Sequence, residues 1–341
     1  MMAVMAMVSI SFGCYHGNFL GFLGFALFFV AYVQLPGLFL LRALGTRFNH
    51  FSTTMVIGIF AGWSMEIAVY FITEVIHTNI LMYAAGPILT VLYIIALLRS
   101  RAAKDKSRVT TGTGITAGCS RFQLSFTNVS TAFCVFIVLA LLYSLLNTQY
   151  IYLAPEVSSM TYMNPDKGYH LGLINSLSAG WPLESPWVQG RVIHYHIFTE
   201  MLYSIPLRLF GIPSDVLLLT CGPYMTIYVF SLSLYALFKE FTSNHKRTGL
   251  YCLALMLSNI FIAKGLNRSL AFFFVFRNEN ATAYGISCFM AVLIIVKYWF
   301  EKYQAKEKSW NFFLLVLPLV MLVTGLKGPM GLVIIAAIWG T

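Results

Sequence analysis

The chain has 341 residues, of which 59% are hydrophobic and only 10% are charged. Soluble globular domains carry roughly a quarter charged residues, so this composition excludes an ordinary soluble enzyme. The net charge of +10 is not gathered on a basic helix with interleaved stacking aromatics, and we therefore expect no nucleic-acid partner. The six cysteines form no C-x-x-C pair, which argues against a thiolate metal site or a disulfide framework.

Apolar runs of about 20 residues recur along the chain and predict membrane-crossing helices. We expect an all-α polytopic bundle of about eight or nine spans embedded in a lipid bilayer. The last run is too short to cross the hydrocarbon, and the end at Trp339-Gly-Thr341 suggests a piece of a longer protein. The predicted spans are 19–42, 54–76, 79–98, 127–148, 214–238, 249–264, 283–299, 310–326 and 329–341.

The lysines and arginines indicate how the bundle is oriented. Strict alternation of spans places the loop 99–126 on one side together with the linkers 43–53, 239–248 and 297–309. With their flanking residues these four segments carry 15 of the 22 basic residues. Basic residues concentrate in short cytoplasmic loops, so we assign this side to the cytoplasm and the loop 149–213 to the outer side.

Three regions follow from this pattern. Residues 1–98 form an N-terminal three-helix membrane segment, and residues 99–126 form a basic, flexible cytoplasmic loop that is rich in Thr and Gly. Residues 127–341 form the larger membrane core, which includes the polar outer loop 149–213.

The outer loop contains two segments with helix signals. The first runs from Asp166 to about Ala179, after the start signal Asn164-Pro165 and before the stop signal Gly180. The second covers about 195–210, and its Pro206 is expected to bend or divide it. Both segments are short and polar, so we expect them to lie at the membrane surface.

Asp166 is the strongest candidate for a catalytic group. It stands near a predicted helix start, where the helix dipole favours a negative charge. A carboxylate in this position can accept the proton of a hydroxyl acceptor, as a general base does. The alternative is that Asp166 only caps the helix.

His170, His194, His196 and Glu200 are candidate substrate-binding residues in the same loop. Asp166 and His170 are four residues apart, as are His196 and Glu200, so each pair shares a helix face. Imidazole and carboxylate groups also suit a divalent metal, although no compact metal-binding motif is present. Histidines that bind backbone or water at an interface are the structural alternative.

Arg191 and Lys327 are basic residues on the predicted outer side and could hold a phosphate group. Lys327 lies in the break Thr324-Gly-Leu-Lys-Gly-Pro329 between two apolar runs, and such breaks are tolerated where the backbone lines a cavity. A lysine that reaches from a helix end to the membrane surface is the alternative. Glu66, inside an apolar span, could be functional or a protonated structural group.

These residues resemble those of bacterial multi-spanning proteins of the GT-C glycosyltransferase superfamily. The similarity rests on Asn-Pro-Asp166-x-x-x-His170, on Leu-x-x-Gly-Trp-Pro, on Pro-Trp-x-x-Gly-Arg-x-x-x-Tyr195-His and, more loosely, on the break at Lys327. It covers about 160–200 closely and is a matter of hydropathy elsewhere. The superfamily commonly places its acid in the first outer loop, whereas here four predicted spans precede Asp166.

The resemblance implies a polyprenyl-phosphate-linked sugar as donor, Asp166 as the base, and a location in a bacterial cytoplasmic membrane. It also implies that the two short helices roof a cavity on the outer surface. Two other functions remain open from the residues alone: a transporter or flippase of a lipid-linked glycan, and a non-catalytic protein of cell-envelope assembly.

Overall fold

A computed structural model describes residues 19–110, 165–185, 188, 190–193, 196–242, 247–262, 280–329, 331 and 333. Every regular element of this part of the chain is helical, and a single isolated β-bridge joins Glu184 to Val192. The all-α prediction is therefore confirmed. The predicted span 127–148 and nearly all of 329–341 lie outside the described residues.

Ten α-helices and two π-helical turns make up the described chain. In chain order they are α1 (Phe19–Phe28), π1 (Phe29–Gln34), α2 (Leu35–Ala43), α3 (Phe51–Ile76), α4 (Ile80–Thr110), α5 (Pro165–Ala179), α6 (Phe198–Phe210), π2 (Val216–Cys221), α7 (Gly222–Phe241), α8 (Thr248–Ile262), α9 (Asn280–Gln304) and α10 (Trp310–Leu326).

Five of these helical stretches are long and apolar enough to cross a membrane, and α10 is a shorter apolar helix. They match the predicted spans to within a few residues, because the bilayer thickness sets a length that an apolar run reveals directly. Helix α4 continues to Thr110, so the first part of the segment 99–126 is helical. The five stretches are Leu20–Ala43, Phe51–Ile76, Ile80–Ser100, Val216–Phe241 and Ala281–Gln304.

The linkers that alternation places on one side do meet at one end of the bundle, which we call the basic end. The backbone N–H of Asn49 donates to the hydroxyl of Tyr298 at 2.8 Å. The side-chain amide of Asn311 donates to the carbonyl of Leu44 at 2.5 Å. We call the opposite end, where α5 and α6 pack, the loop end.

A buried carboxylate ties three helices together at the basic end. The side chain of Glu240 on α7 is 2% exposed, and it accepts a hydrogen bond from Thr53 of α3 at 2.6 Å. The hydroxyl of Tyr298 on α9 donates to both of its oxygens, at 3.1 and 3.0 Å. Lys297 lies 3.8 Å away and supplies the opposite charge. This carboxylate therefore has replacements for the water that it loses on burial.

Helix α3 approaches both π1 and α2 closely through glycines. A Cβ atom at Gly37 would collide with the carbonyl oxygen of Gly58, and one at Gly62 would collide with that of Val33. Small residues allow such close backbone contact between membrane helices, where packing rather than hydrophobic exclusion drives association.

Replacement of Gly37 by Ala should destabilise the bundle by about 1–3 kcal/mol, because the added methyl group meets backbone that cannot move aside. The measurement is thermal unfolding of the purified protein in detergent. Gly168→Ala is the matched control, since a Cβ atom there has no neighbour within 4 Å and Gly168 also lies inside a helix. A Gly37→Ala variant as stable as Gly168→Ala would contradict the close approach.

Candidate functional site

Helix α5 begins at Pro165 and ends at Ala179, within one residue of the predicted bounds. Proline is favoured in the first turn of a helix, where its missing N–H has no partner to lose. Leu173 and Leu177 are fully buried and form the apolar stripe that holds α5 against α6. On the other side of α5, Gly168, Asn175 and Ala179 are exposed with respect to the described residues.

Helix α6 begins at Phe198 and runs through Pro206 to Phe210 without a break, so the expected division at Pro206 does not occur. It is also packed more deeply than a helix lying on a membrane surface, since Thr199 to Pro206 are all buried. Its neighbours are α1, α3, α5, α9, α10 and the turn π2. The hydroxyls of Tyr203 on α6 and Tyr284 on α9 lie 3.0 Å apart in this interface.

The centre of the site is an ion pair or hydrogen bond between two predicted residues, His170 of α5 and Glu200 of α6. His170 Nδ1 lies 2.6 Å from Glu200 Oε1. The Glu200 side chain is 2% exposed, whereas His170 is 18% exposed and reaches the surface of the junction. Glu200 lies in the first turn of α6, where the helix dipole favours its negative charge.

The second oxygen of Glu200, Oε2, has no hydrogen-bond partner among the described residues. A buried carboxylate oxygen without a partner is costly, and such atoms in native proteins usually face water, an ion or a ligand. The half-buried Tyr169 stands beside this group. Burial raises the pKa of the Tyr169 hydroxyl above its ordinary value, and the Glu200 carboxylate adds to the rise. Tyr169 therefore remains a neutral hydroxyl at physiological pH.

The break at Lys327 lies against the same first turn of α6. Helix α10 ends at Leu326, and Lys327 has extended backbone with its N–H donating to the carbonyl of Val323 at 2.8 Å. Gly325 packs so closely on Phe198 that a Cβ atom would collide with the ring. Glu200 follows Phe198 by two residues, and the half-buried Lys327 follows Gly325 by two residues. Both therefore stand near this contact between α6 and α10.

The other predicted site residues are only partly placed. Arg191 is exposed on a tight loop, where its backbone carbonyl accepts from Ser185 N–H at 2.8 Å. His196 is half-buried just before α6. The backbone of Asp166 is in the first turn of α5, but its side chain and the whole of His194 lie outside the described residues.

No group of three His, Cys, Asp or Glu residues that could hold a metal ion occurs among the side chains that the structure describes. His170 and Glu200 supply one nitrogen and one oxygen ligand between them. A divalent metal at this site would need further ligands, and the other expected ones were Asp166, His194 and His196. His196 is described, whereas the side chain of Asp166 and the whole of His194 lie outside the described part of the chain. The metal hypothesis therefore stays a prediction.

Sequence reasoning did not find the polar anchor that holds the loop end together. Glu74, at the end of α3, forms an ion pair with Arg208 of α6. Its second oxygen accepts the backbone N–H of Trp181 at 2.9 Å. Arg208 also lies 6.0 Å from the ring centre of Tyr70, whose hydroxyl donates to the carbonyl of Leu177 at 2.7 Å. The sequence indicated only that the predicted topology places both Glu74 and Arg208 near the outer side of the membrane.

Glu66 is a second buried acid near the site, and its surroundings differ from those of Glu200. It is fully buried in the middle of α3, one turn from Trp63 and one turn from Tyr70. Both of its carboxylate oxygens lack a hydrogen-bond partner within the described residues. Trp63 donates to the carbonyl of Phe198 at 3.3 Å, so this stretch of α3 faces the first turn of α6.

No protein-family model, curated protein or solved structure matches the chain. The chemistry of the loop end is therefore the basis from which a function can be inferred. That end combines a buried carboxylate paired with a half-buried histidine, a half-buried lysine at a helix break and a fully buried acid in the middle of α3.

The Glu74–Arg208 pair should couple α3 to α6. Glu74→Gln and Arg208→Gln should each lower the free energy of unfolding. The double variant should lose about 1–3 kcal/mol less than the sum of the two single losses. The reason is that each single variant leaves the other charge without its partner. Thermal unfolding in detergent of all four proteins measures the coupling.

The exposed pair Lys302–Glu307 at the basic end is the matched control for this cycle. Its coupling should be below about 1 kcal/mol, because water screens it. Equal coupling energies at the two pairs would show that burial at the loop end does not strengthen the Glu74–Arg208 interaction.

Proposed function

We propose that the chain is a GT-C-like membrane glycosyltransferase that transfers a sugar from a polyprenyl-phosphate donor to a hydroxyl acceptor at the loop end. The loop end would face the outer side of the membrane, since the basic residues concentrate at the opposite end. The observation that carries the proposal is the His170–Glu200 pair, in which the Glu200 carboxylate is nearly fully buried and one of its oxygens has no partner among the described residues.

Asp166 enters the proposal through the register of α5. It precedes His170 by four residues in the same helix, so both stand on one helix face, one turn apart. His170 is fixed by Glu200, which limits the rotation of its ring. A fixed imidazole next to an acid at a helix start can orient an acceptor hydroxyl toward that acid.

The proposed reaction needs one proton acceptor and one holder of the leaving group. The acceptor hydroxyl gives its proton to the Asp166 carboxylate, and its oxygen forms a bond to the anomeric carbon of the donor. The bond from that carbon to the phosphate oxygen breaks, and polyprenyl phosphate leaves with the electron pair. Lys327 and Arg191 would bind this phosphate, whose negative charge increases in the transition state.

Lys327 is the better placed of these two cations. It stands at a helix break that packs on the first turn of α6, whereas Arg191 is exposed on its loop. A lysine that is partly removed from water interacts more strongly with a phosphate than an exposed one does. The GT-C resemblance, which includes the Gly-Leu-Lys327-Gly-Pro break, supports the same role.

Asp166→Asn should lower sugar transfer by at least about 10²-fold, because asparagine cannot accept the proton. Membranes that contain the variant are incubated with radiolabelled polyprenyl-phosphate hexoses and pentoses, and the label in the membrane glycan fraction is counted. Glu200→Gln should lower transfer less, since it only releases His170.

Asp215→Asn is the control, because Asp215 is an exposed carboxylate close to the loop end and outside the proposed site. It should transfer sugar at the wild-type rate. Wild-type transfer by Asp166→Asn would remove the acid from the mechanism. Absence of transfer by the wild-type protein with every donor would contradict the proposed function.

Glu66 favours a second candidate, the transport of a lipid-linked glycan. A fully buried acid without partners among the described residues is what a proton-linked transporter uses, and no step of sugar transfer needs one. In that case the Glu66→Gln variant should slow the flipping of a fluorescent polyprenyl-phosphate lipid in proteoliposomes.

Asp166→Asn should leave that flipping unchanged. The pair of variants therefore separates the two candidates: an enzyme depends on Asp166 and tolerates Glu66→Gln, and a transporter shows the reverse. Chemical quenching of the outer-leaflet fluorophore measures the flipping rate.

A further inference from the structure

A depression of about 440 Å³ lies between α2 and α4 at the basic end, far from the loop end. Phe39 of α2 and Leu92 and Ile95 of α4 are among its apolar lining residues, and Arg42 and Arg99 supply its charges. Its volume falls in the range of small-molecule sites, about 300–1,000 Å³.

The two helices arrange these residues in the same order. Phe39 and Arg42 are three residues apart on α2, and Leu92, Ile95 and Arg99 follow one face of α4. In both helices the arginine comes after the apolar residues and so lies closer to the end of the bundle. Leu92 and Arg99 are separated by about 10 Å along the helix axis. The depression is thus apolar toward the middle of the membrane and cationic toward its surface.

Neither arginine has an ionic partner in the described part of the chain, and both are exposed. The described residues that line the depression include no acid. The surrounding face of α4 is also open, since only 11% of its most apolar window is buried within the described bundle. The depression thus has two guanidinium groups toward the membrane surface, apolar side chains toward the middle of the membrane, and an exposed face of α4 beside it. This distribution of polarity matches a phospholipid and not a free anion.

We propose that this depression binds an anionic glycerophospholipid. Arg42 and Arg99 hold the headgroup phosphate with charge-assisted hydrogen bonds, for which the forked guanidinium is suited. An acyl chain lies along Leu92 and Ile95 and covers the open face of α4. Basic pockets between membrane helices bind acidic lipid headgroups on the same physical grounds. The site is independent of the proposed sugar transfer.

The test is native mass spectrometry of the full chain in detergent, titrated with phosphatidylglycerol and with phosphatidylcholine of the same acyl chains. The wild type should bind phosphatidylglycerol more tightly. Each arginine should contribute about fivefold, so Arg42→Gln/Arg99→Gln should weaken phosphatidylglycerol binding about 25-fold. Arg47→Gln/Lys308→Gln removes the same charge from exposed residues at the basic end that do not line the depression, and it should bind like the wild type.

Several results would overturn the proposal. They are equal affinity for the two lipids, equal losses in the two double variants, and competition by inorganic phosphate without lipid binding. Failure of the wild type to bind either lipid would show that another segment or a second copy fills the depression. If the glutamine variant does not fold, Arg42→Lys/Arg99→Lys serves instead. It keeps the charge and should retain the preference for phosphatidylglycerol while it loses part of the affinity.

Discussion

A carboxylate that leaves water for the interior of an apolar bundle loses several kcal/mol of hydration unless other groups replace that water. Three acids in this chain meet this requirement wholly or in part with partners on a different helix, so the desolvation penalty favours particular helices as neighbours. Apolar packing alone would allow many arrangements of similar helices. The three acids and their partners are Glu74 with Arg208, Glu200 with His170, and Glu240 with Thr53, Tyr298 and Lys297.

Much of the fold could be predicted from the sequence, because its signals are local. The length of an apolar run reports the thickness of the membrane, and alternation along the chain then places the linkers 43–53, 239–248 and 297–309 together. The proline before Asp166 and the glycine after Ala179 likewise located α5. The depth of α6 was not predictable, since its polar residues are buried by helices α3, α9 and α10 from distant parts of the chain.

His170 and Glu200 were both candidate residues from the sequence, but their contact with each other was not predicted. His170 and Glu200 stood out because acids and histidines are rare in this sequence, yet their spacing of 30 residues gave no reason to pair them with each other. The sequence instead suggested pairs four residues apart within each helix. Glu74 and Arg208 are 134 residues apart, and neither has a local pattern that marks it as half of an ion pair.

The contacts of the basic end span most of the chain. Thr53 meets Glu240 across 187 residues, and Asn49 meets Tyr298 across 249. A chain emerging from the ribosome completes its early helices first, so α3 waits in the membrane until α7 and α9 have been made. The first helices must therefore persist as an open assembly during most of translation. A factor that shields membrane helices during biogenesis would therefore have the longest time to bind these first helices.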